Sequence, residues 1–462
     1  MKYYNLDFLH FFFLLFICMA STTSIDAAET EDPIVVCLKT EAQRIPLYLT
    51  HFNTTNSGVG ASYCTQLENI LQFDLDHNGM TYILKSSTDK EKQAAANVFD
   101  QSPKGPDWKA IGAFYVVKVR IQDKSLSARL FAANGGSSKS IDGLALSGDL
   151  ARDRRQIHQL ADTIHQALFG SDGIASTRLL YTVKNHKGTT WTSEVWESDY
   201  DGQNRKQIST DGSYAVTPVY VPPKKGCSAA TFFFVSYSTG QPKIYYQKVG
   251  ETTPPHRLSY LRGNQLMPAI TRQRDKIAFI SDITGNPDLF ILPFSPDTGA
   301  TGKPYQIFST HLATQASPTF SPDGSQIAFV SNKDGSPRIY MMSVPAPGTS
   351  LKDIKATLVT KRNKESTAPA WSPDGTKIAY CAVIQGTRQI WVYDLTSREE
   401  RQITQGPGNK ENPSWAPNSL HLVYNSSDAG SCNIYLINLN QPDATKITSG
   451  SGEKRFPSWE PR

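Results

Sequence analysis

Two short stretches of the sequence, Phe320-Ser-Pro-Asp-Gly324 and Trp371-Ser-Pro-Asp-Gly375, share an aromatic residue followed by a turn. A proline precedes each aromatic residue by two positions, at Pro318 and Pro369. The same unit, once with isoleucine in the aromatic position, recurs at Pro218, Pro268, Pro318, Pro369, Pro413 and Pro457. These prolines are 50, 50, 51, 44 and 44 residues apart. A period of about 40–50 residues built from short strands is typical of a β-propeller.

Each period contains four strand-like segments. An apolar-small-aromatic triplet such as Ile277-Ala278-Phe279 follows the proline unit, an aliphatic-aromatic pair such as Ile339-Tyr340 comes next, and a run such as Gln402-Ile-Thr404 ends the period. Turn-forming residues separate the segments, which is the composition of one propeller blade. In Ser-Pro-Asp-Gly, proline presets φ, aspartate bonds back to the backbone and glycine closes the turn. Because proline is confined to sheet edges, the first strand of each blade should border the central channel.

The ends of the repeat predict how the ring closes. The first triplet, around Leu179, comes before any proline unit, and no triplet follows the last unit at Pro457. Six copies of every strand result only if residues 454–459 join the strands at about 178–209. We therefore predict an all-β six-bladed β-propeller closed by the C-terminal strand, because this pairing removes exposed sheet edges. The alternative is an open stack of hairpin sheets in which one blade lacks a strand.

Residues 45–170 have a different pattern and predict an α/β N-terminal domain. The expected strands are Ile45–Phe52, Tyr82–Leu84 and a hairpin of Ala113–Ile121 with Leu126–Ala133. Three helices are expected. The first ends near Leu75, and the second runs from a Thr88/Glu91 capping box to about Phe99. The third places Ile157, Leu160, Ile164 and Leu168 on one face. We expect the helices to cover one side of the sheet. A hinge at Asp172-Gly173 would lead into the propeller at residues 174–462.

The N-terminus predicts export. In residues 1–28, Lys2 precedes an apolar core around Phe8–Ala20 and a small-residue end at Ala27-Ala28, as in a secretory signal peptide. No other run of about 18 apolar residues occurs, so we expect no direct membrane insertion after cleavage. The remaining cysteines, at 37, 64, 227, 381 and 432, favour neither a disulfide framework nor a zinc site, although one bridge between two of them stays open.

Motifs for catalysis or ligand chemistry are weak. Asp74-x-Asp76-x-Asn78-Gly79 opens like a calcium loop, but the twelfth position is Lys85, so we interpret it as a helix-to-strand turn. His158 and His165 share a helix face without a third ligand, and we expect them to face solvent. No nucleophile elbow, phosphate loop or dinucleotide motif occurs. The 47 basic and 42 acidic residues are dispersed, which argues against nucleic acid as a partner. We predict no catalytic residue, no cofactor site and no metal site, the alternative being a cation held by the repeated Asp-Gly turns.

With these features in view, the chain resembles the periplasmic TolB family of the Tol–Pal envelope system. The resemblance covers nearly the whole mature chain: an export signal, an α/β domain ending in a helix, Ser-Pro-Asp-Gly blades and the ending Lys454-Arg-Phe-Pro-Ser-Trp-Glu-Pro461. It implies a non-enzymatic periplasmic scaffold that supports outer-membrane integrity and cell division. Its propeller would bind the peptidoglycan-associated lipoprotein Pal at one channel mouth, and its extreme N-terminus would bind the inner-membrane protein TolA. Residues 29–40 have no close match to the family's TolA-binding stretch.

The resemblance also implies partner-binding residues. We expect the Pal-type partner on loops that precede the prolines, with Asn264, Gln265, Met267, Gln315, Ala316, Ser317, Glu365, Thr367, Asn409, Lys410 and Glu411. Within an N-terminal partner-binding arm at residues 29–44, Ile34, Val35 and Val36 would contact the TolA-type partner. Two other function classes remain open. A small-ligand or glycan-binding propeller would need an aromatic-lined pocket at a channel mouth. A propeller-regulated hydrolase would need a separate catalytic domain.

Overall fold

The computed structural model describes residues 44–95, 98–133, 138–209, 212–428, 430–441 and 443–462. The predicted signal peptide and residues 29–43 of the predicted arm lie outside these described residues. In the described part of the chain, no helix is both long enough and apolar enough to span a membrane.

The N-terminal part of the described chain is an α/β domain. Its strands are Ile45–Leu49 (β1), Thr81–Ile83 (β2), Tyr115–Gln122 (β3), Ser125–Ala132 (β4) and Lys139–Ala145 (β5). Its helices are Ala61–Asp76 (α1), Thr88–Ala95 (α2), Gly105–Ile111 (α3) and Leu150–Phe169 (α4). The sheet has the order β2-β1-β3-β4-β5. The first three of these strands are parallel to one another, and the last two add an antiparallel hairpin extension.

Helices cover both faces of this sheet, so the prediction of a one-sided cover was wrong. Alternate side chains of a strand point to opposite faces. Leu47 and Leu49 accordingly pack in the cluster formed with α1 and α4, whereas Tyr48 packs against Trp108 and Ile111 of α3. Helix α3 has seven residues, too few to produce a helical apolar pattern in the sequence.

The predicted capping box at the start of α2 was also wrong. The hydroxyl of Ser87, one residue earlier, accepts a hydrogen bond from the amide of Lys90. The carboxylate of Glu91 instead accepts a hydrogen bond from the hydroxyl of Tyr48. Helix α4 ends as predicted, at Gly170, which has a left-handed φ of 69°.

The rest of the chain forms short strands. In chain order they are Arg178–Lys187 (β6), Thr190–Asp199 (β7), Lys206–Gln207 (β8), Ala215–Tyr220 (β9), Thr231–Ser236 (β10), Lys243–Lys248 (β11), His256–Arg257 (β12), Gln265–Ile270 (β13), Lys276–Ser281 (β14), Asp288–Ser295 (β15), Gly299–Ala300 (β16), Tyr305–Phe308 (β17), Gln315–Phe320 (β18), Gln326–Ser331 (β19), Arg338–Ser343 (β20), Thr357–Leu358 (β21), Ser366–Trp371 (β22), Lys377–Ile384 (β23), Thr387–Asp394 (β24), Glu400–Gln402 (β25), Asn409–Trp415 (β26), His421–Asp428 (β27), Ser431–Asn438 (β28), Thr445–Lys446 (β29) and Glu453–Trp459 (β30). A short 3-10 helix at Leu351–Asp353 precedes β21.

These strands form the six blades of the predicted propeller. Blade 1 is β30-β6-β7-β8, blade 2 is β9–β12, blade 3 is β13–β17, blade 4 is β18–β21, blade 5 is β22–β25 and blade 6 is β26–β29. From the channel outward the strands are A, B, C and D, and blade 3 carries the extra hairpin strand β16. Apolar side chains of neighbouring blades interdigitate, as when Phe233 and Val235 of blade 2 pack with Ile277 and Phe279 of blade 3.

The C-terminal strand closes the ring, as predicted. Strand β30 is antiparallel to β6, with Trp459 opposite Leu179. The indole nitrogen of Trp459 donates to the hydroxyl of Thr177 over 2.8 Å. Directly after the strand, the carboxylate of Glu460 forms an ion pair with the guanidinium of Arg178, with Oε1 and Nη2 2.7 Å apart. First and last propeller segments are therefore joined by a strand ladder, a buried aromatic residue and a salt bridge.

The two ends of the propeller differ in what surrounds them. Because each blade is an antiparallel meander, its A–B turn and C–D loop lie at one end and its B–C turn and D–A loop at the other. The α/β domain packs on the first end: Arg154 of α4 contacts Asp201 in the C–D loop of blade 1, and Gly79 lies against Leu420 in the A–B turn of blade 6. We name the opposite end, formed by the B–C turns and D–A loops, the distal face.

Candidate protein-binding surfaces of the propeller

A ring of unusual backbone conformations surrounds the channel. In each inner strand the residue before the proline has positive φ: Thr217 (48°), Met267 (52°), Ser317 (46°), Ala368 (50°), Asn412 (55°) and Phe456 (55°). Residues other than glycine rarely adopt this conformation. The pairing register between strands A and B shifts at this position in every blade, as in a β-bulge. The proline unit of the sequence therefore corresponds to a bulge, and its six pre-proline residues all line a channel cavity of about 360 Å³.

Most of the predicted partner-binding residues lie inside inner strands. Of the set, Asn264 and Glu365 precede a strand, and the others belong to β13, β18, β22 and β26. The prediction that they form the D–A loops was therefore wrong for every residue but these two. The physical reason is the bulge, which lets the inner strand continue past the proline, so that the proline lies in the middle of the strand.

Three of these residues are buried anchors. Gln265, Gln315 and Lys410 have exposed fractions of 0%, 1% and 7%. The ammonium group of Lys410 donates to the carbonyl oxygens of Gly406 and Gly408, at 2.9 and 3.2 Å, and Gln265 donates to that of Leu261 at 3.0 Å. Buried carbonyl groups of a loop need such donors. These side chains therefore hold the D–A loops against the inner strands, and burial lowers the pKa of Lys410.

Other members of the predicted set are only partly buried and link neighbouring segments. The side-chain amide of Asn264 donates to Asp282 over 2.6 Å. The carboxylate of Glu411 lies 3.0 Å from Arg388 and 3.7 Å from Arg455 of the next blade. Together these residues form a polar surface on the distal side of the channel. Contacts within the protein already orient their side chains.

Met267 and Ser317 line the channel cavity itself, together with Ala368 of the next blade. The Met267 sulfur accepts a hydrogen bond from the amide of Ser317 over 3.2 Å, which links blades 3 and 4. Ala316 lies next to this pair and is half-buried. Ile34, Val35 and Val36, predicted for the second partner, lie outside the described residues.

The two histidines of α4 are buried, so the prediction that they face solvent was wrong. His158 and His165 belong to a second buried stripe on α4, because this helix packs on the sheet and also on the propeller. Nδ1 of His158 lies 2.7 Å from the carboxylate of Asp74 in α1. The other Asp74 oxygen accepts a hydrogen bond of 2.8 Å from Tyr200 in blade 1. Sequence reasoning missed this polar contact between the two domains.

The same cluster extends to two further carboxylates of blade 1. Nε2 of His158 lies 3.7 Å from Asp199, and Arg154 forms ion pairs with both Asp199 and Asp201. Burial opposes protonation of His158, but Asp74 and these carboxylates outweigh it and raise its pKa to about 10. Donor atoms of His158, Asp199 and Asp201 lie within 4.8 Å of one another, as in a metal site. Arg154 already supplies the positive charge between the two aspartates, so we interpret the group as an interdomain ion-pair cluster.

The Asp-x-Asp-x-Asn-Gly motif is the turn between α1 and β2, as interpreted from the sequence. The side-chain oxygen Oδ1 of Asn78 accepts hydrogen bonds from the backbone amides of Met80 and Thr81 at 2.8 and 2.9 Å. Gly79 has a φ of 88°, and a Cβ atom there would lie 2.7 Å from the ring of His421 in blade 6. The glycine thus permits close approach of the α/β domain to the propeller. Burial in this contact lowers the pKa of His421 to about 3.

These features define a two-domain β-propeller protein, in which the described part of an N-terminal α/β domain packs on the end of a closed six-bladed ring opposite the distal face. The family profile described as the TolB beta propeller domain matches residues 165–351 and 350–462. Protein TolB homolog of Protochlamydia amoebophila is 54% identical over 403 residues, which cover 87% of this chain and 86% of that protein. Protein TolB homolog of Chlamydia pneumoniae is 36% identical over 301 residues, covering 64% and 67%.

A solved structure supports the fold. The crystal structure of TolB from Acinetobacter baumannii is similar over 91% of this chain and 98% of that chain, with a TM-score of 0.72 and 21% sequence identity. The chain belongs to the TolB family of the Tol–Pal system.

Proposed function

We propose that this protein is a non-enzymatic periplasmic scaffold of the Tol–Pal system that supports outer-membrane integrity and cell division. Its propeller binds a Pal-type peptidoglycan-associated lipoprotein, and its N-terminal segment binds a TolA-type inner-membrane protein. Membership of the TolB family supports this function. The structural observation that carries the proposal is the channel: six bulged residues line it, and the described contacts of the α/β domain lie at the end opposite the distal face.

The distal face suits a specific protein interface. Asn264, Glu365, Asn409 and Glu411 offer amides and carboxylates around the channel, and Met267 offers a flexible apolar side chain within it. Protein interfaces typically combine an apolar centre with a polar, hydrated rim. Contacts such as that between Asn264 and Asp282 hold these polar groups in place before a partner arrives. Pre-organisation of this kind lowers the entropy lost on binding.

The test is binding of the soluble domain of the Pal-type lipoprotein from the same genome. Met267→Glu combined with Ala316→Arg should weaken binding of the lipoprotein domain, measured on a variant whose far-UV spectrum shows that it is folded. The matched control is Leu351→Glu combined with Ala346→Arg, which introduces the same two charged residues in the C–D loop of blade 4 at the opposite end. Equal affinity of the first double variant and the wild type would place the partner elsewhere.

The N-terminal segment is the proposed site for the TolA-type partner. Ile34, Val35 and Val36 would supply apolar contacts within an otherwise acidic arm. Deleting residues 29–38 should abolish binding of the TolA-type domain and leave lipoprotein binding intact. Survival of the first interaction after this deletion would refute the assignment.

One observation favours a second function, binding of a small ligand or glycan in the channel. Phe320, Trp371 and Trp415 line the cavity, whose volume of about 360 Å³ is within the range of ligand pockets. The indole nitrogens of Trp371 and Trp415 donate to backbone carbonyls of Gly375 and Ala370, at 3.3 and 2.9 Å, which assigns these rings to the structure of the blades. Saturable quenching of tryptophan fluorescence by a chito-oligosaccharide would support this second function, and an unchanged spectrum would refute it.

A further inference from the structure

A groove on the outer rim of the propeller is lined mainly by basic side chains. It lies where blades 4 and 5 meet, beside β25, which is the outermost strand of blade 5 and therefore remote from the channel. Its volume is about 780 Å³. We name it the rim groove, and its lining consists of Lys361, Arg362, Trp391, Arg398, Glu399, Glu400, Arg401 and Gln402.

The rim groove has an excess of positive charge. Four basic and two acidic side chains line it, which leaves a net charge of +2. Among the described residues, none of the four basic side chains forms an ion pair with a carboxylate. Glu365 and Asp394 belong to the neighbouring stretches of chain but are not part of the lining. The positive charge of the groove is therefore not neutralised by ion pairs within it.

One of the two acidic side chains holds the wall of the groove in place. A carboxylate oxygen of Glu400 accepts the backbone amides of Lys361 and Arg362 at 2.8 and 3.0 Å. Its other oxygen accepts the hydroxyl of Tyr380 at 2.6 Å. The guanidinium of Arg362 lies 5.3 Å from the centre of the Trp391 ring, on the blade 5 side of the groove. A site fixed in this way loses little conformational entropy when a ligand binds.

Trp391 supplies a buried donor without an acceptor. This residue is 4% exposed, and its indole nitrogen has no hydrogen-bond partner among the described residues. An indole N–H can donate but cannot accept, and a buried donor left unpaired costs free energy. Three other tryptophans do have acceptors within the protein, namely Trp371, Trp415 and Trp459. Trp196 of blade 1 also lacks one, so it is the combination of this donor with four basic side chains that distinguishes the rim groove.

We propose that the rim groove binds an anionic ligand that carries two or more phosphate or carboxylate groups. The four basic side chains and the Trp391 indole are all donors, and negatively charged oxygen atoms are the acceptors that complement them. Guanidinium groups such as those of Arg398 and Arg401 bind phosphate and carboxylate through paired hydrogen bonds. More than one anionic group is expected, because four positive charges surround a volume within the range of small-molecule sites. This inference goes beyond the proposed function and does not depend on it.

The first test measures binding of two probes, pyrophosphate and citrate, by isothermal titration calorimetry of the mature protein. At least one probe should bind saturably at about 0.15 M salt, where interactions between distant exposed charges are largely screened. Arg398→Gln combined with Arg401→Gln should raise the Kd at least about tenfold, because a hydrogen bond to a charged group contributes about that factor. The matched control is Arg152→Gln combined with Arg262→Gln, which removes the charges of two exposed arginines elsewhere. An equal rise in Kd in the control would show that only overall charge matters and would overturn the proposal.

The second test follows the indole of Trp391 directly. The chain has seven tryptophans, so a sample labelled with nitrogen-15 at tryptophan should give seven indole signals in an NMR spectrum. The signal that Trp391→Phe removes belongs to Trp391. Saturating probe should shift this signal, because the indole N–H gains an acceptor, and should leave those of Trp371 and Trp415 unchanged. An unmoved Trp391 signal at saturation would overturn the proposed site.

The two probes distinguish the two kinds of ligand. Saturable binding of pyrophosphate alone would assign the rim groove to phosphate groups, and binding of citrate alone would assign it to carboxylate groups. Either result, with the loss of affinity in the Arg398/Arg401 double variant, supports an anion site. If neither probe binds saturably, the proposal is wrong. Binding of the lipoprotein domain is measured separately, so failure of this inference leaves the proposed function untouched.

Discussion

Replacing Asp74 by asparagine would perturb the contact between the two domains at its centre. Asp74 is buried in α1, and its two carboxylate oxygens contact Nδ1 of His158 at 2.7 Å and the hydroxyl of Tyr200 at 2.8 Å. Asparagine preserves the size of the side chain but removes the charge. Protonated His158 would then lose its nearest counter-ion inside the protein.

The expected cost follows from this geometry. Removing one member of a buried ion pair costs about 3–5 kcal/mol, because the other charge stays buried. We expect the lower end of this range, since Asp199 remains 3.7 Å from His158 and an asparagine oxygen still accepts hydrogen bonds. A loss of about 3 kcal/mol shifts a folding equilibrium more than a hundredfold. The loss should appear first as detachment of the α/β domain from blade 1, since Tyr200 belongs to that blade.

Urea unfolding followed by circular dichroism, with limited proteolysis of the segment between α4 and β6, would measure this effect. The control is Asp76→Asn, two residues later in the same helix, whose side chain is 40% exposed and lies 3.7 Å from Arg44. Asparagine keeps an oxygen that can accept the backbone amide of Ile83, which Asp76 accepts at 2.9 Å. Exposed pairs contribute about 0–1 kcal/mol, so this variant should be nearly as stable as the wild type. Equal losses of stability in the two variants would refute the assignment of the cluster as the main polar link between the domains.

Three other predictions concern pH, a glycine and ring closure. Because burial lowers the pKa of His421 from 6.5 to about 3, the folded state binds fewer protons than the unfolded state between these values, and stability falls as the pH drops below 6.5. The loss should reach about 2 kcal/mol at pH 5, and His421→Asn should remove this part of the acid sensitivity in urea titrations. His158 has the opposite sign: its pKa is raised to about 10, so its contribution is full below 6.5 and is lost as the pH rises towards 10. Gly79→Ala should lower the melting temperature more than Gly112→Ala, because both glycines have positive φ but no atom lies within 4 Å of a Cβ at Gly112; equal shifts would argue against the close approach. Deleting residues 454–462 should lower the melting temperature far more than trimming a surface tail, since it removes β30 and its ladder with β6, and an unchanged melting temperature would contradict ring closure.

The architecture of the propeller was predictable because its signals are local and repeated. Each blade carries its own turn residues and its own triplet, so one period identifies the others. Ring closure was predictable because the register is displaced, with a triplet at Leu179 before the first proline and a proline at Pro457 after the last triplet. The strands that contain these two positions, β6 and β30, pair in the folded protein.

Non-local contacts were not predictable in the same way. The second buried stripe of α4 faces residues of blade 1 that lie about 40 positions later, and nothing in the spacing of His158 and His165 shows that such a surface covers them. The bulge in each inner strand was not predicted, for a different reason. Its positive φ falls on residues such as Thr217, Met267 and Ser317, whose side chains do not indicate a left-handed conformation. The residues before each proline were therefore expected to form a loop, although the inner strand already begins there.

The central claim is that a Pal-type lipoprotein docks on the distal face. Hydrogen–deuterium exchange of the mature protein, with and without the soluble lipoprotein domain, tests it most directly. We predict slower exchange in the D–A loops at residues 258–264 and 309–314 and unchanged exchange in the C–D loop at residues 346–355. Protection confined to the C–D loops, or no protection anywhere in the presence of saturating lipoprotein domain, would contradict the account.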